Sequence, residues 1–548
     1  ARLAGLPEGA PIAVCDLRNV SVCAATRSGA GVVVLWNGLA QDRSEVVELP
    51  VNVHALSVQT LDGTAVPSQV VPSLPSVTNY GAPAGGALGT ALFSARVPAM
   101  GFAAFRFSTP SSLAERAADA RHAETVTLEN EFLALVFVDG NLERITDKTS
   151  GVSAQAKQSW LMYNSSRGEG QNSGAYIFRP YNASEAVPVF SAAPTLSVVR
   201  GPVADEVHQT FGQWISQRVR LAKGARHAEI TYTVGPIPVG ADGKEVVTRI
   251  SADIQTAGEC YTDSNGREML LRKRDFRSTW RLNQTERVAG NYFPVVTSMF
   301  IKDAARQLTL LTDATQAGSG CVHDGELEAM VHRRVLVDDG RGVAEPLNET
   351  EFVTPYVGPD AGTYGRHYGR GLVTRGKHFL LFGAPDNAAR QWRPLADAVY
   401  MPLQPFFAGA GAQPGRGGSL ARALPPNVQI VTLEVWDDRR TLLRLAHQFG
   451  LGEDVELSKP ASVNLADLFA GRTVVSADER GLAVSIAREE VLKRRVSWRT
   501  DGDAGRDASE KHPDGGASDL QVTLGPLQIR TFLVEFATES GPAAPVVV

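Results

Sequence analysis

Short apolar runs separated by turn residues fill most of the chain, and few stretches carry the period of an amphipathic helix. Over the first hundred residues these runs alternate with Pro and Gly and lie at 31–36, 46–51 and 102–107. Such spacing is typical of short antiparallel strands. We therefore predict a small β-sandwich over residues 15–108, preceded at 1–14 by the end of a helical segment.

The longest strand-rich region follows a polar linker that we predict at 109–123. Its clearest strand patterns lie at 125–128, 132–137, 228–234, 308–311 and 378–382. Asp139-Gly140-Asn141 directly follows one of them and is a hairpin-turn signal. We predict a mainly β protein with a large block of antiparallel strands over 124–426. A C-terminal β-sandwich with closing strands is predicted over 427–548.

One stretch combines a strand with a cluster of charged residues. Residues 330–336 alternate as a strand does, and Asp338-Asp339-Gly340-Arg341-Gly342 follows at once. The glycines permit φ > 0, and the carboxylates can fix the guanidinium, whose fork suits paired hydroxyls or a carboxylate. On the pattern alone, a surface turn with a solvated salt bridge is the simpler interpretation.

Length and composition are those of an ordinary globular protein with several units. The 548 residues exceed one compact domain, so about three or four units are expected. The net charge of −5 comes with no basic block, so nucleic acid is not an expected partner. No run of about 18 apolar residues occurs, so no membrane span is expected. Since the sequence has neither an initiator Met nor a signal-peptide layout, we predict a processing product or a fragment.

Four cysteines and five glycosylation sequons bear on the compartment. No cysteine belongs to a CxxC pair, which argues against a zinc knuckle. Cys15 and Cys23 are close enough in sequence to close a small loop, whereas Cys260 and Cys321 fit a second bridge and two buried thiols equally well. The sequons exceed the number that chance supplies and favour a secretory or lysosomal route. Glycosylation is predicted at Asn19, Asn164, Asn182, Asn283 and Asn348.

A metal site at His323, Asp324 and His332 is the weaker alternative for this part of the chain. The two histidines are nine residues apart and have no third ligand in the pattern. Histidines so placed are more often surface or packing residues than zinc ligands. No G-x-S-x-G elbow signals a serine nucleophile.

Residues 332–343, HRRVLVDDGRGV, resemble a hallmark segment of the glycoside hydrolase family 38 α-mannosidases, and of the lysosomal acid type in particular. Further segments resemble the same family in the same order along nearly the whole chain. They are NSGAYIFRP at 172–180, GPIPVG at 235–240, YTDSNGRE at 261–268, LNQT at 282–285, AGNY at 289–292, LLRL at 442–445 and QIRTFL at 528–533. The resemblance implies that the large β block is a supersandwich of the galactose-mutarotase type, and it favours a disulfide between Cys15 and Cys23.

The resemblance also implies where the catalytic groups lie. Family members are retaining glycosidases with an aspartate nucleophile, an aspartate acid/base and a zinc ion held by two His and two Asp. These residues belong to an N-terminal α/β domain and a following helical segment, for which this sequence has no counterpart. We therefore expect no catalytic residue and no metal ligand in this chain, and we expect zinc on a separate N-terminal catalytic chain.

Two substrate-binding residues do carry over from the family. Tyr176, in SGAYIF, matches the tyrosine whose hydroxyl contacts the bound mannose. Arg341, in DGRG, matches the arginine that reaches the same pocket, and Asp338 and Asp339 are candidates for orienting it. A phenol suits a sugar because its ring covers apolar C–H faces while its hydroxyl makes a directed hydrogen bond. Without the family context, Tyr176 is more simply a core tyrosine in a strand.

Together these features predict the C-terminal chain of a processed α-mannosidase that hydrolyses terminal α-linked mannose of N-glycans with retention. The expected partners are the N-terminal catalytic chain of the same precursor and mannose-containing oligosaccharides, with a homo-oligomer of the two-chain unit left open. The chain alone is expected to be inactive. The expected location is the lysosome or an acid vacuole, with secretion as a further route.

The alternatives are a non-catalytic carbohydrate-binding or structural β-sandwich protein and a Golgi-type trimming enzyme of the same family. A non-catalytic protein should have a finished surface near the N-terminus and around Tyr176. The C-terminal half of an enzyme should instead have an uncovered interface there.

Overall fold

The computed structural model describes residues 12–74, 87–110, 124–166, 170–181, 185–238, 240–263, 265–351, 370–415, 417–496 and 520–537. Most of the predicted helical segment at 1–14 and most of the predicted linker at 109–123 lie outside these ranges. Strands make up most of the regular structure in the described residues, which confirms the prediction of a mainly β fold.

The first sandwich packs two sheets against each other. Its strands are β1 (Gly31–Asn37), β2 (Arg43–Val51), β3 (Ser57–Thr60), β4 (Ala65–Val66), β5 (Ser68–Pro72), β6 (Gly89–Val97) and β7 (Gly101–Ser108). β1, β7, β3 and β4 lie in one sheet, and β2, β6 and β5 form the other. Leu35, Phe93 and Phe107 are among the buried side chains between them. Cys15 and Cys23 are bonded beside this core with Cα atoms 5.0 Å apart, which confirms the predicted bridge.

The central region contains two nine-stranded sheets. Its first ten strands are β8 (Thr125–Glu129), β9 (Leu133–Val138), β10 (Asn141–Asp147), β11 (Ser153–Asn164), β12 (Val187–Pro188), β13 (Thr195–Val199), β14 (Ala204–Phe211), β15 (Ile215–Ala222), β16 (Ala228–Val234) and β17 (Lys244–Ala252). The next ten are β18 (Glu259–Asp263), β19 (Met269–Lys273), β20 (Phe293–Val295), β21 (Ser298–Lys302), β22 (Gln307–Thr312), β23 (Gln316–Ser319), β24 (Glu326–Arg334), β25 (Thr350–Glu351), β26 (Arg370–Gly371) and β27 (Thr374–Gly383).

One sheet has the order β20-β23-β24-β17-β11-β10-β9-β8 with β12 beside β11, and the other has the order β13-β14-β15-β16-β27-β22-β21-β18-β19. A continuous apolar core that includes Leu135, Val207, Ile250 and Leu308 fills the space between them. The predicted hairpin turn is present between β9 and β10, where Asp139 and Gly140 have φ values of 47° and 78°.

A disulfide crosses the core of this region. Cys260 lies in β18 and Cys321 follows β23, so the bridge joins the two sheets, with the Cα atoms 5.8 Å apart. Both residues are fully buried within the apolar core. Of the two alternatives for these cysteines, the structure therefore has the second bridge.

A helix and two strands follow that the sequence patterns do not place. The helix α1 (Ala389–Tyr400) buries Trp392 and Ala396 despite containing Pro394. β28 (Gln404–Ala408) then pairs with β1, and β29 (Gly417–Gly418) pairs with β7, so both extend the first sandwich. This pairing differs from the predicted block of 124–426, because a strand pattern does not identify the partner of the strand.

The C-terminal unit contains β30 (Val428–Val435), β31 (Arg440–His447), β32 (Ala461–Asn464), β33 (Val474–Arg480), the helix α2 (Arg488–Arg494), β34 (Gln521–Leu524) and β35 (Ile529–Phe536). A sheet in the order β30-β31-β35-β33 packs on the β32–β34 pair around Leu445, Leu465 and Phe532. Neither helix of the described residues is long and apolar enough to cross a membrane.

Candidate substrate-facing site

Two loops meet at one edge of the sheet that contains β11, β17 and β24. β11 and β24 both run antiparallel to β17, with Asn164 and Arg334 each opposite Lys244. They are therefore parallel to each other and leave the sheet at the same edge. Tyr176 lies in the loop after β11 and Arg341 in the segment after β24, so the strand pairing brings these two segments together.

The carboxylate of Asp339 joins the two segments. Its Oδ2 accepts hydrogen bonds from the backbone N–H groups of Tyr176 and Ile177 at 2.6 and 3.2 Å, and its Oδ1 accepts one from the Arg341 N–H at 3.0 Å. Loss of hydration raises the pKa of Asp339, but the three amides outweigh it and hold the pKa below its ordinary value. The carboxylate therefore stays charged in moderately acidic solution, and it fixes the spacing of the two backbones.

The close approach of the segments depends on Gly174. A Cβ atom at this position would lie 2.6 Å from Cβ of Asp339 and 2.7 Å from its backbone nitrogen. The Gly174 N–H also donates to the C=O of Ile177 at 3.0 Å, which closes a turn around Tyr176. Only a residue without a side chain fits between the turn and Asp339.

The guanidinium of Arg341 is contacted by an amide that the sequence analysis did not select. Its Nη2 donates to Oε1 of Gln171, and Nε2 of Gln171 donates to the backbone C=O of Asp339 at 2.6 Å. Asp338 contacts the backbone, where its Oδ2 accepts the Gly340 N–H at 2.8 Å. The sequence carries no signal for Gln171, because its contact with Arg341 spans 170 residues.

The two predicted substrate-binding side chains are both open to solvent. Tyr176 is 66% exposed and Arg341 is exposed as well, whereas Ser173 and Gly174 beside them are buried. The alternative of a core tyrosine at position 176 is therefore wrong. An exposed phenol and an exposed guanidinium, on backbones that the Asp339 carboxylate joins, provide an apolar ring and several hydrogen-bond donors, which is a combination suited to a sugar.

The loop that carries Tyr176 rests on a buried ion pair. Arg333 of β24 donates to Glu245 of β17 through Nε at 2.9 Å and Nη2 at 2.6 Å, and the same Nη2 donates to the C=O of Ile177 at 2.6 Å. Ser173 Oγ contacts Glu245 at 3.2 Å. Burial raises the pKa of Glu245, and Arg333 opposes that shift. The sheet itself therefore fixes the base of the loop.

A second loop, at 275–292, lies beside the first. Arg179 donates to Glu286 at 2.8 Å, and the rings of Phe178 and Tyr292 pack with their centroids 4.7 Å apart. The loop exposes Trp280, of which 58% is open to solvent. A large apolar side chain is therefore exposed on the loop that packs against Phe178 and Arg179.

The described residues contain no group of three or more His, Cys, Asp or Glu side chains that could hold a metal ion. His323 contacts Glu185 at 2.9 Å, and Nε2 of His332 donates to the C=O of Leu372 at 2.9 Å, so the packing interpretation suits both. The described residues therefore offer no set of ligands for the zinc ion that the family resemblance implies. The location of that zinc ion on an N-terminal chain stays a prediction.

The five sequon asparagines differ in their surroundings. Three are exposed, namely Asn19, Asn164 and Asn283. Asn348 is half-buried, and its Oδ1 accepts a hydrogen bond from Nε of Arg334 at 2.7 Å. Asn182 lies outside the described residues. Glycosylation at the five positions stays a prediction.

Comparison with known proteins gives one family over most of the chain. Residues 128–341, which include the whole candidate site, match the model of the glycosyl hydrolases family 38 C-terminal domain. The chain is 38% identical to lysosomal alpha-mannosidase of Homo sapiens over 556 residues and 37% identical to that of Bos taurus. It is 35% identical to an alpha-mannosidase of Canavalia ensiformis. These alignments cover 97%, 98% and 95% of the chain and 52%, 52% and 55% of the relatives, so the chain spans about half of their length.

The fold has a counterpart among solved structures. The crystal structure of an alpha-mannosidase from Enterococcus faecalis V583 superposes with a TM-score of 0.56 at 12% sequence identity. The superposition covers 93% of this chain and 57% of that one. At this identity the similarity concerns the fold.

Proposed function

Since the chain belongs to glycosyl hydrolase family 38 and matches the C-terminal portion of its members, we propose that it forms one wall of an α-mannosidase active site. The rest of the site lies on an N-terminal catalytic chain of the same precursor, which carries both catalytic aspartates and the zinc ion. The assembled enzyme hydrolyses terminal α-linked mannose of N-glycans. In a retaining enzyme one carboxylate forms a mannosyl-enzyme intermediate and the other acts as acid and then as base.

The observation that carries this proposal is the connection between Tyr176 and Arg341 through Asp339. Both residues are exposed, and one carboxylate binds both of their backbone N–H groups. In this role the phenol covers a sugar face and donates a hydrogen bond, while the guanidinium binds sugar hydroxyls. Neither group transfers a proton in the reaction, so the chain alone is expected to be inactive.

Exposed apolar side chains support a partner chain. Near the start of the described residues, Val14 and Leu17 are each 56% exposed, and Trp280 is 58% exposed in the loop that packs against Phe178. Exposed apolar side chains of this size are typical of an interface that another polypeptide covers. Because the chain spans about half of its relatives, the missing half is the proposed occupant.

The proposed compartment is the lysosome or an acid vacuole. Two disulfides and five sequons suit the secretory route that leads there, and the relatives from Homo sapiens and Bos taurus are both named lysosomal. Secretion uses the same route and remains part of the proposal.

Kinetics of the full-length enzyme test the role of Arg341. We expect Arg341→Ala to lower kcat/KM on an α-mannoside at least about tenfold, because hydrogen bonds from a charged group to the substrate are lost. Arg422→Ala is the matched control, since this exposed arginine pairs with Asp467 in the C-terminal unit. An unchanged kcat/KM in Arg341→Ala, with the fold intact, would contradict the substrate-binding role.

A denaturing gel and mass spectrum of the native material test the partner. The proposal predicts a second polypeptide, or an N-terminal extension of this one, that carries the mannosidase catalytic residues. Native material without such a segment would instead favour a non-catalytic carbohydrate-binding or structural β-sandwich protein.

A further inference from the structure

The Gln171 side chain contacts two residues of the DDGRG segment, Asp339 and Arg341. Its Oε1 accepts from Nη2 of Arg341, and its Nε2 donates to the backbone C=O of Asp339 at 2.6 Å. A second contact holds its backbone, where Nη1 of Arg179 donates to the Gln171 C=O at 2.8 Å. Both ends of the amide are therefore used, and its orientation is determined by the contacts.

We propose that Gln171 is a positioning residue that sets the direction of the Arg341 guanidinium toward the sugar. The inference rests on the proposed function, since it assigns Gln171 a role through Arg341. A free arginine side chain samples many rotamers, and ordering it on substrate binding costs affinity. The amide removes that cost in advance, because it holds one nitrogen of the fork and leaves the other donors for the substrate.

The contacts that hold Gln171 come from the segments that follow β11 and β24. Arg179 reaches the Gln171 backbone from one side and pairs with Glu286 through Nε at 2.8 Å. Asp339, which accepts the Gln171 amide through its own C=O, also binds the Tyr176 and Arg341 N–H groups through its carboxylate. A displacement of Gln171 therefore changes the orientation of the Arg341 guanidinium. The hydrogen bonds from the Tyr176 and Arg341 N–H groups to the Asp339 carboxylate stay in place.

This arrangement assigns different tasks to Asp339 and Gln171. Asp339 fixes the distance between the Tyr176 and Arg341 backbones, and Gln171 fixes the direction of one side chain. Loss of the Gln171 amide should therefore weaken the recognition of the substrate while the protein remains folded. The same loss should have no consequence in an enzyme that has no guanidinium at position 341.

A double-mutant cycle in the full-length enzyme tests the inference. The variants are Gln171→Met, Arg341→Ala and the two combined. Gln171→Met keeps the size of the side chain and removes the C=O and NH2 groups of the amide. We expect Gln171→Met to lower kcat/KM on an α-mannoside roughly tenfold, with an unchanged unfolding midpoint. In the Arg341→Ala background the same change should have no further effect, because residues that act through each other are not additive.

The matched control is Gln528→Met. The Gln528 amide accepts the backbone N–H of Gly525 at 2.9 Å in the C-terminal unit, away from the contacts of Gln171. We expect no change in kcat/KM for this variant.

The outcomes separate the inference from the proposed function. If Arg341→Ala lowers kcat/KM but Gln171→Met does not, or if the two effects add, the positioning role of Gln171 is wrong and the proposed function stands. If Arg341→Ala itself leaves kcat/KM unchanged, the proposed function fails, and the role of Gln171 fails with it.

Discussion

At the scale of single residues, the candidate site depends on a glycine and a carboxylate as much as on the two side chains that face solvent. Asp339 is almost completely buried, yet it is satisfied by backbone N–H groups from two distant segments. Gly174 makes that contact sterically feasible. The function proposed for Tyr176 therefore requires residues that never meet the substrate.

Gly174→Ala tests this dependence. The added Cβ would collide with Asp339, so we expect the turn that carries Tyr176 to shift and kcat/KM of the full-length enzyme to fall roughly tenfold or more. The unfolding midpoint should fall by only a few degrees, because the turn lies at the surface. Gly409→Ala is the control, since a Cβ there meets no atom within 4 Å. Equal kinetics for the two variants would show that the contact with Asp339 does not matter.

Part of this site could be predicted from the sequence. Tyr176 and Arg341 are selected by the family resemblance of the segments that contain them, whereas the residue pattern alone favours a core tyrosine and a surface turn. Asp339 follows from its position beside Arg341. The binding mode of Asp339, through three backbone amides, depends on the pairing of β11 and β24 with β17. Gln171 could not be identified for the same reason, since its partner is brought to it by the sheet.

At the scale of elements, strand existence was predictable and strand partners were not. The runs at 31–36, 132–137 and 228–234 became β1, β9 and β16, because β-branched and apolar residues dominate them. β28 joined the first sandwich, where Phe407 enters the core, although about 300 residues of chain separate it from that sheet. The helix α1 was missed because Pro394 interrupts its pattern.

The two disulfides also act at this scale, and their contributions should differ. Cys260 and Cys321 are separated by 61 residues and join two sheets, whereas Cys15 and Cys23 are separated by 8. In the chain-entropy account the longer loop contributes about 4 kcal/mol and the shorter about 2.5 kcal/mol. Replacing each pair by alanine should therefore lower the free energy of unfolding more for Cys260 and Cys321, as measured by denaturant titration. A larger loss for the Cys15 and Cys23 pair would contradict this assignment.

At the scale of the whole molecule, a buried ion network connects the first sandwich to the central sheets. Glu48 of β2 contacts Arg220, Arg218 at 3.4 Å and Lys377 at 2.8 Å, all on the other unit. Burial raises the pKa of Glu48, but Arg220 and its neighbours outweigh this and hold the pKa well below its ordinary value. The carboxylate stays charged in acid, which suits a protein proposed to work in an acid compartment.

The pH dependence of stability tests the network. Breaking a buried ion pair by removing one partner costs about 3 kcal/mol or more, so Glu48→Gln should lower the free energy of unfolding by that order near neutral pH. Because the folded pKa lies below the unfolded value of about 4.3, the contribution of Glu48 is complete above that pH and is lost as the pH falls through the folded pKa. The difference between wild type and variant should thus be constant from about pH 7 to 5 and narrow below about pH 4.

Glu456→Gln is the control for this titration, since Glu456 forms an exposed pair with Lys459 that should contribute little at any pH. A difference between wild type and Glu48→Gln that already narrows between about pH 7 and 5 would contradict the depressed pKa.

The central claim is that this chain contributes one wall of an active site completed elsewhere, and Tyr176→Phe in the full-length enzyme tests it most directly. The variant removes only the hydroxyl of a side chain that is 66% exposed, and Tyr181→Phe, at 49% exposure a few residues along the same loop, is the matched control. We predict that kcat/KM on an α-mannoside falls roughly tenfold for Tyr176→Phe and stays unchanged for Tyr181→Phe. Equal values of kcat/KM for wild type and both variants would contradict the claim.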